Sequence, residues 1–307
     1  MNLNAISVSR DHQWVVCGAE KGASVWDSEI QEKVTEVESK NWVNAVDVSP
    51  DSTRFATGTA NEASIWSISS GERLVGPLGH DNTGDIEGIK FSPNGERIAT
   101  TCGGASIHIF DSHHGDELIT ITTTITVSPN SPSTPLAWSN GGQQIFTVSN
   151  DNKIKSFNIS TGTQFAESHT LDGSNVESIA LAANGTFIAT YASRSITFLD
   201  ATTLSQIDPV IKERSEIRSI ALSLDSGYLA CGLADGKIFV RNLGGILPNG
   251  YDPFHVSICA LTMLAYRIST IPSLMLTLYI RHLARKDNQT SSLRPRMTMT
   301  TNHSTLR

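Results

Sequence analysis

The chain has 307 residues, 39% apolar and 17% charged, which excludes an intrinsically disordered protein and leaves room for one large all-β domain or two smaller ones. Its net charge of −7 is unevenly spread: residues 251–307 hold seven Lys/Arg against two Asp/Glu, leaving 16 against 28, or −12, in residues 1–250, a body that disfavours nucleic acid as a partner. The opening MNLNAISVSRDHQW has no basic stretch before an apolar core, so a secretory leader is not expected, and four cysteines without a Cys-x-x-Cys pair argue against a disulfide framework or zinc ribbon.

From the N-terminus onward one unit recurs. In its first copy Ile6 and Val8 alternate with polar neighbours and lead to Ser9. The equivalent positions are Ser49, Ser92, Ser139, Ala182 and Ser223, at spacings of 40, 43, 47, 43 and 41 residues. Three and one residues before each stand two apolar side chains: Val46 and Val48, Ile89 and Phe91, Leu136 and Trp138, Ile179 and Leu181, Ile220 and Leu222. This alternation predicts a strand that buries one face. A turn such as SPDS, SPNG or AANG follows, made of residues that tolerate positive φ or bond their own backbone.

A second strand is predicted beyond the turn. Six residues past the marker lie Val15, Phe55, Ile98, Ile145, Ile188 and Leu229, and eight past it Cys17, Thr57, Thr100, Thr147, Thr190 and Cys231. Adjacent apolar pairs such as Val15-Val16, Phe55-Ala56 and Ile98-Ala99 suit a sheet covered on both faces. The third strand ends in VWD, IWS, IFD, SFN, FLD or VRN, and a more variable fourth follows, as in ERLVGPL and DELITI. Four antiparallel strands at a period of about 40–50 residues predict blades around a central axis.

These residues resemble the WD-repeat (WD40) β-propeller family. The likeness is carried by GHDNTGDIEGIKFSPNGERIATTCGGASIHIFD, from Gly79 to Asp111, and by VWD at Val25–Asp27, within a six-fold register covering about residues 5–250. SGERLVGPLGH is further similar to WD-repeat arrays of fungal proteins, including those attached to NACHT-type signalling ATPases. The resemblance implies an all-β propeller over residues 1–250 with six recognisable four-stranded blades and a seventh absent or atypical. It also implies a relay of His, Ser/Thr, Asp and Trp. His80 and Thr100 fit its first two places, while Gly103-Gly104 and Phe110 stand where Asp and Trp belong. Asp151 and Asp235 hold the turn place in units four and six, with Phe157 and Arg241 in place of Trp.

After residue 250 the register disappears. VSICALTMLAYRISTIPSLMLTLYI, residues 256–280, is apolar but interrupted by Arg267 and Pro272. A central Arg costs about 2.5–3.5 kcal/mol in a bilayer and Pro kinks a span, so a membrane-tethered module is the less favoured alternative. The segment could instead pack on the ring, supply a missing strand or have no evolved role. With the Ser/Thr/Asn-rich basic stretch that follows, 251–307 is expected to be a poorly ordered, non-repeat tail.

Chemistry is sparse. Cys17 and Cys231 occupy a slot that Thr fills in four units, and Cys102 lies two residues further along its strand, so all three are expected to be buried structural thiols. His113-His114 beside Asp111, Asp116 and Glu117 sits in a polar turn and is expected to be solvated, without a metal. The TCGG stretch at 101–104 lacks the Lys and helix of a phosphate loop. A hydrolase built on the propeller would need convergent acids, Arg or Tyr on the channel, but two residues before the markers stand Ser7, Asp47, Lys90, Ala137, Ala180 and Ala221. The expectation is therefore a non-catalytic, cytoplasmic protein–protein interaction scaffold without cofactor or metal. Its candidate partner-binding residues, on turns of one rim, are Asn61, Glu62, Asp81, Asp85, Asn150, Asp151, Asn152 and Asp235. A basic or polar protein or peptide would fit them.

Overall fold

Strands alone make up the regular structure of the described residues, which are 3–60, 62–79, 84–102, 106–123, 136–149, 151–171, 176–223, 225–248 and 251 of a computed structural model. The organisation expected of residues 252–307, including the run 256–280, lies outside them. The strands form six antiparallel sheets in chain order. The first joins β1 (Leu3–Val8), β2 (Trp14–Ala19), β3 (Gly22–Asp27) and β4 (Lys33–Glu38). The second joins β5 (Ala45–Val48), β6 (Arg54–Gly58), β7 (Glu62–Ser67) and β8 (Arg73–Gly79), and the third β9 (Ile86–Phe91), β10 (Arg97–Cys102), β11 (Ser106–Asp111) and β12 (Glu117–Thr122). The fourth holds β13 (Leu136–Trp138), β14 (Gln144–Ser149), β15 (Lys153–Asn158) and β16 (Gln164–Glu167). The fifth holds β17 (Val176–Leu181), β18 (Phe187–Ala192), β19 (Ser195–Asp200) and β20 (Gln206–Lys212). In the sixth only three strands are found among the described residues, β21 (Ile217–Leu222), β22 (Tyr228–Leu233) and β23 (Ile238–Asn242), one fewer than its repeat pattern predicts.

The marker residue closes the first turn of each unit. The hydroxyls of Ser9, Ser49, Ser92, Ser139 and Ser223 accept the backbone N–H five residues on, from Trp14, Arg54, Arg97, Gln144 and Tyr228, at 2.8–3.0 Å. Four of them also donate to Asp11, Asp51, Asn94 or Asp225 two residues on. Three residues past every marker the chain turns left-handed, at His12, Ser52, Gly95, Gly142, Gly185 and Ser226, with φ between 58° and 75°. Only the fifth unit, with Ala182, lacks the hydroxyl.

The Asp, Ser or Asn that ends each third strand has a similar local task. Asp27, Asp111, Asn158, Asp200 and Asn242 accept backbone N–H groups two or three residues on with a side-chain oxygen, and the Ser67 hydroxyl does the same from Ser70. Two local rules per unit therefore fix the turn between the first and second strands and the turn after the third.

Packing supplies the ring. A separate apolar cluster fills each of five interfaces between successive blades. That between blades two and three joins Ala56, Ile65, Val75 and Leu78 to Ile89, Phe91, Ile98 and Phe110. Burial at both faces of each sheet explains the adjacent apolar pairs of the second strands. First strands of successive blades pack against one another and together line a central cavity of about 640 Å³.

Candidate interaction surface

Six first strands converge on the cavity, and the residues two before each marker all line it. Ser7, Asp47 and Lys90 make one half polar, while Ala137, Ala180 and Ala221 present methyl groups on the other. Asp47 holds three blades together. Its carboxylate accepts from the Lys90 ammonium at 2.7 Å, the Phe91 backbone N–H at 2.9 Å and the Ser7 hydroxyl at 3.3 Å. The Trp138 indole donates to the Lys90 carbonyl at 3.0 Å, extending the chain to blade four. The polar half of the channel is thus spent on fastening inner strands.

The rim is built from turns between second and third strands, stitched to the connections that lead into the next blade. Val43 N–H donates to the Ala19 carbonyl, Asn44 to Gly58 and Ile86 to Thr59, at 2.8–3.0 Å. The bonds from Val43 and Asn44 hold Trp42 on a fixed backbone, and the residue is 46% exposed. Asp85 pairs with Ala60 in an isolated bridge, which places it beside the turn leading to Glu62. Asp151 and Asn152 lie on blade four and Asp235 on blade six, so the predicted residues are spread around the ring rather than gathered. Asn61, Asp81 and Asn150 lie outside the described residues.

Charge divides these acids into two groups. Burial works against Asp151, but the Ser149 hydroxyl, Lys155 and Lys153 hold its carboxyl below the usual range. Asp235 is held low by the hydrogen bond from Lys237, 2.8 Å away. Over blades two and three the balance reverses. Among the described residues no ion pair reaches Glu62, Asp85 or Glu87. Burial, and then the charge of Asp85, push the Glu87 carboxyl up to about 7.

Glu87 was not among the predicted residues. The pairing of β9 with β10 runs from Gly88–Thr101 to Ile86–Cys102 and skips it, so it sits on a bulge. Asn4 and Arg218 hold the equivalent bulges of β1 and β21. The available signal was a polar residue just ahead of the apolar alternation. Trp42 carried no repeat signature at all.

One constellation has the order of a hydrolytic triad. His108 Nε2 meets Ser106 Oγ at 2.7 Å and its Nδ1 meets Glu117 Oε1 at 2.8 Å. Ser106, however, pairs with Cys102 on one side and Thr122 on the other, so the local amides serve the sheet rather than an oxyanion. His108 is 7% exposed and stacks on Phe110. The arrangement ties β11 to β12.

The remaining expected residues have structural places. Cys17, Cys102 and Cys231 are buried, and burial pushes the thiols of Cys17 and Cys231 up to about 12, far from nucleophilic. His113 and His114 donate their backbone N–H groups to Asp111 in the turn after β11. His80, Gly103 and Gly104 lie outside the described residues. Part of the implied relay is present one unit earlier than expected: Trp66 Nε1 donates to Thr57 Oγ1 at 2.9 Å. In blade one, where Cys17 replaces Thr, Trp26 turns to Ser24 instead.

Six radial antiparallel sheets sharing a central channel define a β-propeller. Residues 31–67 and 72–111 match the model of the WD domain, G-beta repeat, so this part of the propeller carries WD repeats. It is 31% identical over 159 residues to the small ribosomal subunit protein RACK1 of Caenorhabditis elegans, covering 50% of this chain and 48% of the relative. WD repeat-containing protein 82 of Drosophila melanogaster is 29% identical over 38% of this chain and 37% of its own. Cross-pathway control WD-repeat protein 2 of Flammulina velutipes is 27% identical over 48% and 47%. The aligned stretches thus span about half or less of these relatives. The β-propeller domain of Cps50 (Swd1) from Myceliophteria thermophila superposes with a TM-score of 0.65 at 14% identity, over 78% of this chain and 83% of that one, which supports the fold alone.

Proposed function

We propose that the chain is a non-catalytic, cytoplasmic protein-interaction module whose rim over blades one to three receives a basic segment of a protein partner. The observation that carries this reading is Trp42, 46% exposed on a backbone pinned at both following residues. Large aromatic side chains held rigid at a surface are frequent interface anchors. Glu62 and Asp85 supply charge for Lys or Arg, with Asn61 and Asp81 on the same predicted rim and Glu87, its carboxyl raised by burial, beside them. Asn150, Asp151, Asn152 and Asp235 would form the outer margin of the contact. The acidic body steers basic partners towards it and nucleic acid away. Assembly with other proteins also fits the name of one relative, a small ribosomal subunit protein.

The test is affinity capture from the native cell with three tagged chains. Partners retained by the unaltered protein and by Asp225→Lys, on the opposite rim, should be lost with the double change Trp42→Ala and Glu62→Lys. Loss through Asp225→Lys alone would reject the rim assignment.

A further inference from the structure

Five apolar clusters join six blades, and among the described residues none joins the sixth blade to the first. The free face of blade six carries Ala221 and Ala230, with Ile238 packed against them. Val240 beside them is 41% exposed. At the same place in the other third strands Val25, Ile65, Ile109 and Phe198 are 0% exposed and Ser156 1%. On blade one, Ile6 is only half-buried, whereas its counterparts Val46, Ile89, Leu136, Ile179 and Ile220 are buried. Those counterparts pack against the preceding blade. Among the described residues β23 is also an edge, where five other third strands have a fourth beside them. An apolar face bordered by a free strand edge invites pairing with a further strand.

We propose that the apolar run of this chain from Val256 to Ile280 covers the junction, laying an extended stretch along β23 and over Val240. Three observations select this occupant. The described chain stops one sheet away from the site: Tyr251 packs where blades five and six meet, its hydroxyl donating to Asp200 at 2.7 Å. Five residues from there to Val256 reach about 17 Å, more than the roughly 10 Å between stacked sheets. The run is itself too apolar to remain in water without a surface to cover. The charges are also opposed, +5 in residues 251–307 against −12 in the rest. A tethered segment acts at an effective concentration of about millimolar, which favours it over a second copy or a separate protein.

The test uses the full chain. A photo-crosslinking amino acid at position 240, in an equal mixture of light and isotopically heavy chains, should join peptides of residues 256–280 within the same chain. Products joining light to heavy chains, or none reaching 256–280, would overturn the proposal. Because the probe could disturb β23, hydrogen exchange of the Ile238–Asn242 amides provides a second reading without it. These amides should exchange at least about tenfold faster in Leu276→Asp than in the unaltered chain, at any dilution. Equal exchange in the two chains, or protection lost on dilution, would count against it.

Discussion

Asp47 and Lys90 meet at 2.7 Å inside the channel, on the first strands of adjacent blades, with side chains only 10% and 22% exposed. The same carboxylate also receives the Phe91 N–H and the Ser7 hydroxyl. A partly buried charge held by its partner is costly to strand. Asp47→Ala should therefore lower the unfolding free energy by about 2–4 kcal/mol. Adding Lys90→Met should restore part of that loss but not all, because Phe91 still lacks its acceptor. Denaturant unfolding of the four chains of this double-mutant cycle measures the coupling. Strict additivity would remove the ion pair from the account of ring stability.

Two glycines with positive φ should differ sharply. At Gly22, φ is 138° and an added Cβ would lie 1.9 Å from the Val37 carbonyl oxygen on the neighbouring strand. Gly236 has φ 83° with no atom within 4 Å of its Cβ position. Gly22→Ala should cost about 3 kcal/mol or more, and Gly236→Ala about 1 kcal/mol. Thermal unfolding of the two variants decides the ranking.

The turn hydroxyl can be moved between units. Ser49→Ala leaves the Arg54 N–H and Asp51 without their shared partner and should destabilise by about 1 kcal/mol. Ala182→Ser places a hydroxyl opposite the Phe187 N–H in the one unit that lacks it. A gain of about 0.5–1 kcal/mol is expected in denaturant titration, provided the new side chain keeps the rotamer of its siblings.

Glu87 predicts a pH effect with a definite sign. Its carboxyl titrates at about 7 in the fold against 4.5 as its ordinary value. As pH rises through that window the unfolded chain gives up this proton first, so the folded state loses stability until pH passes about 7. Glu87→Gln lacks this titration. The stability of the unaltered protein relative to Glu87→Gln should therefore fall between pH 4.5 and 7 and then level off. A pH-independent difference would show that Glu87 is not perturbed.

Local regularities were the legible part of this chain. The six markers, the turn that follows each and the Asp, Ser or Asn ending each third strand are all short-range features repeated six times; which turn residue takes positive φ, His12, Ser52 and Ser226 among them, is visible only in the structure. What escaped depends on partners distant in sequence. Asp47 and Lys90 read as plain channel residues because they are 43 positions apart in sequence and meet only in the ring. Trp66 and Thr57 sit nine residues apart on paired strands, yet the relay was sought one unit later, where His80 marked the sequence. Trp42 belongs to a connection outside the repeat register, and Glu87 to a bulge of β9 that strict alternation does not reveal. The repeat pattern continues through VRN and predicts a fourth strand in blade six; among the described residues Leu243 and Leu247 instead join the cluster shared with blade five.

Recognition at the rim can be read directly by hydrogen exchange on the full chain with a set of Lys- and Arg-rich peptides. A bound peptide should slow exchange at residues 39–44 and 84–90, and the protection should disappear in Trp42→Ala. Protection confined to the turns that follow the marker residues, or no binding by any basic peptide, would contradict the assignment of this face as the docking surface.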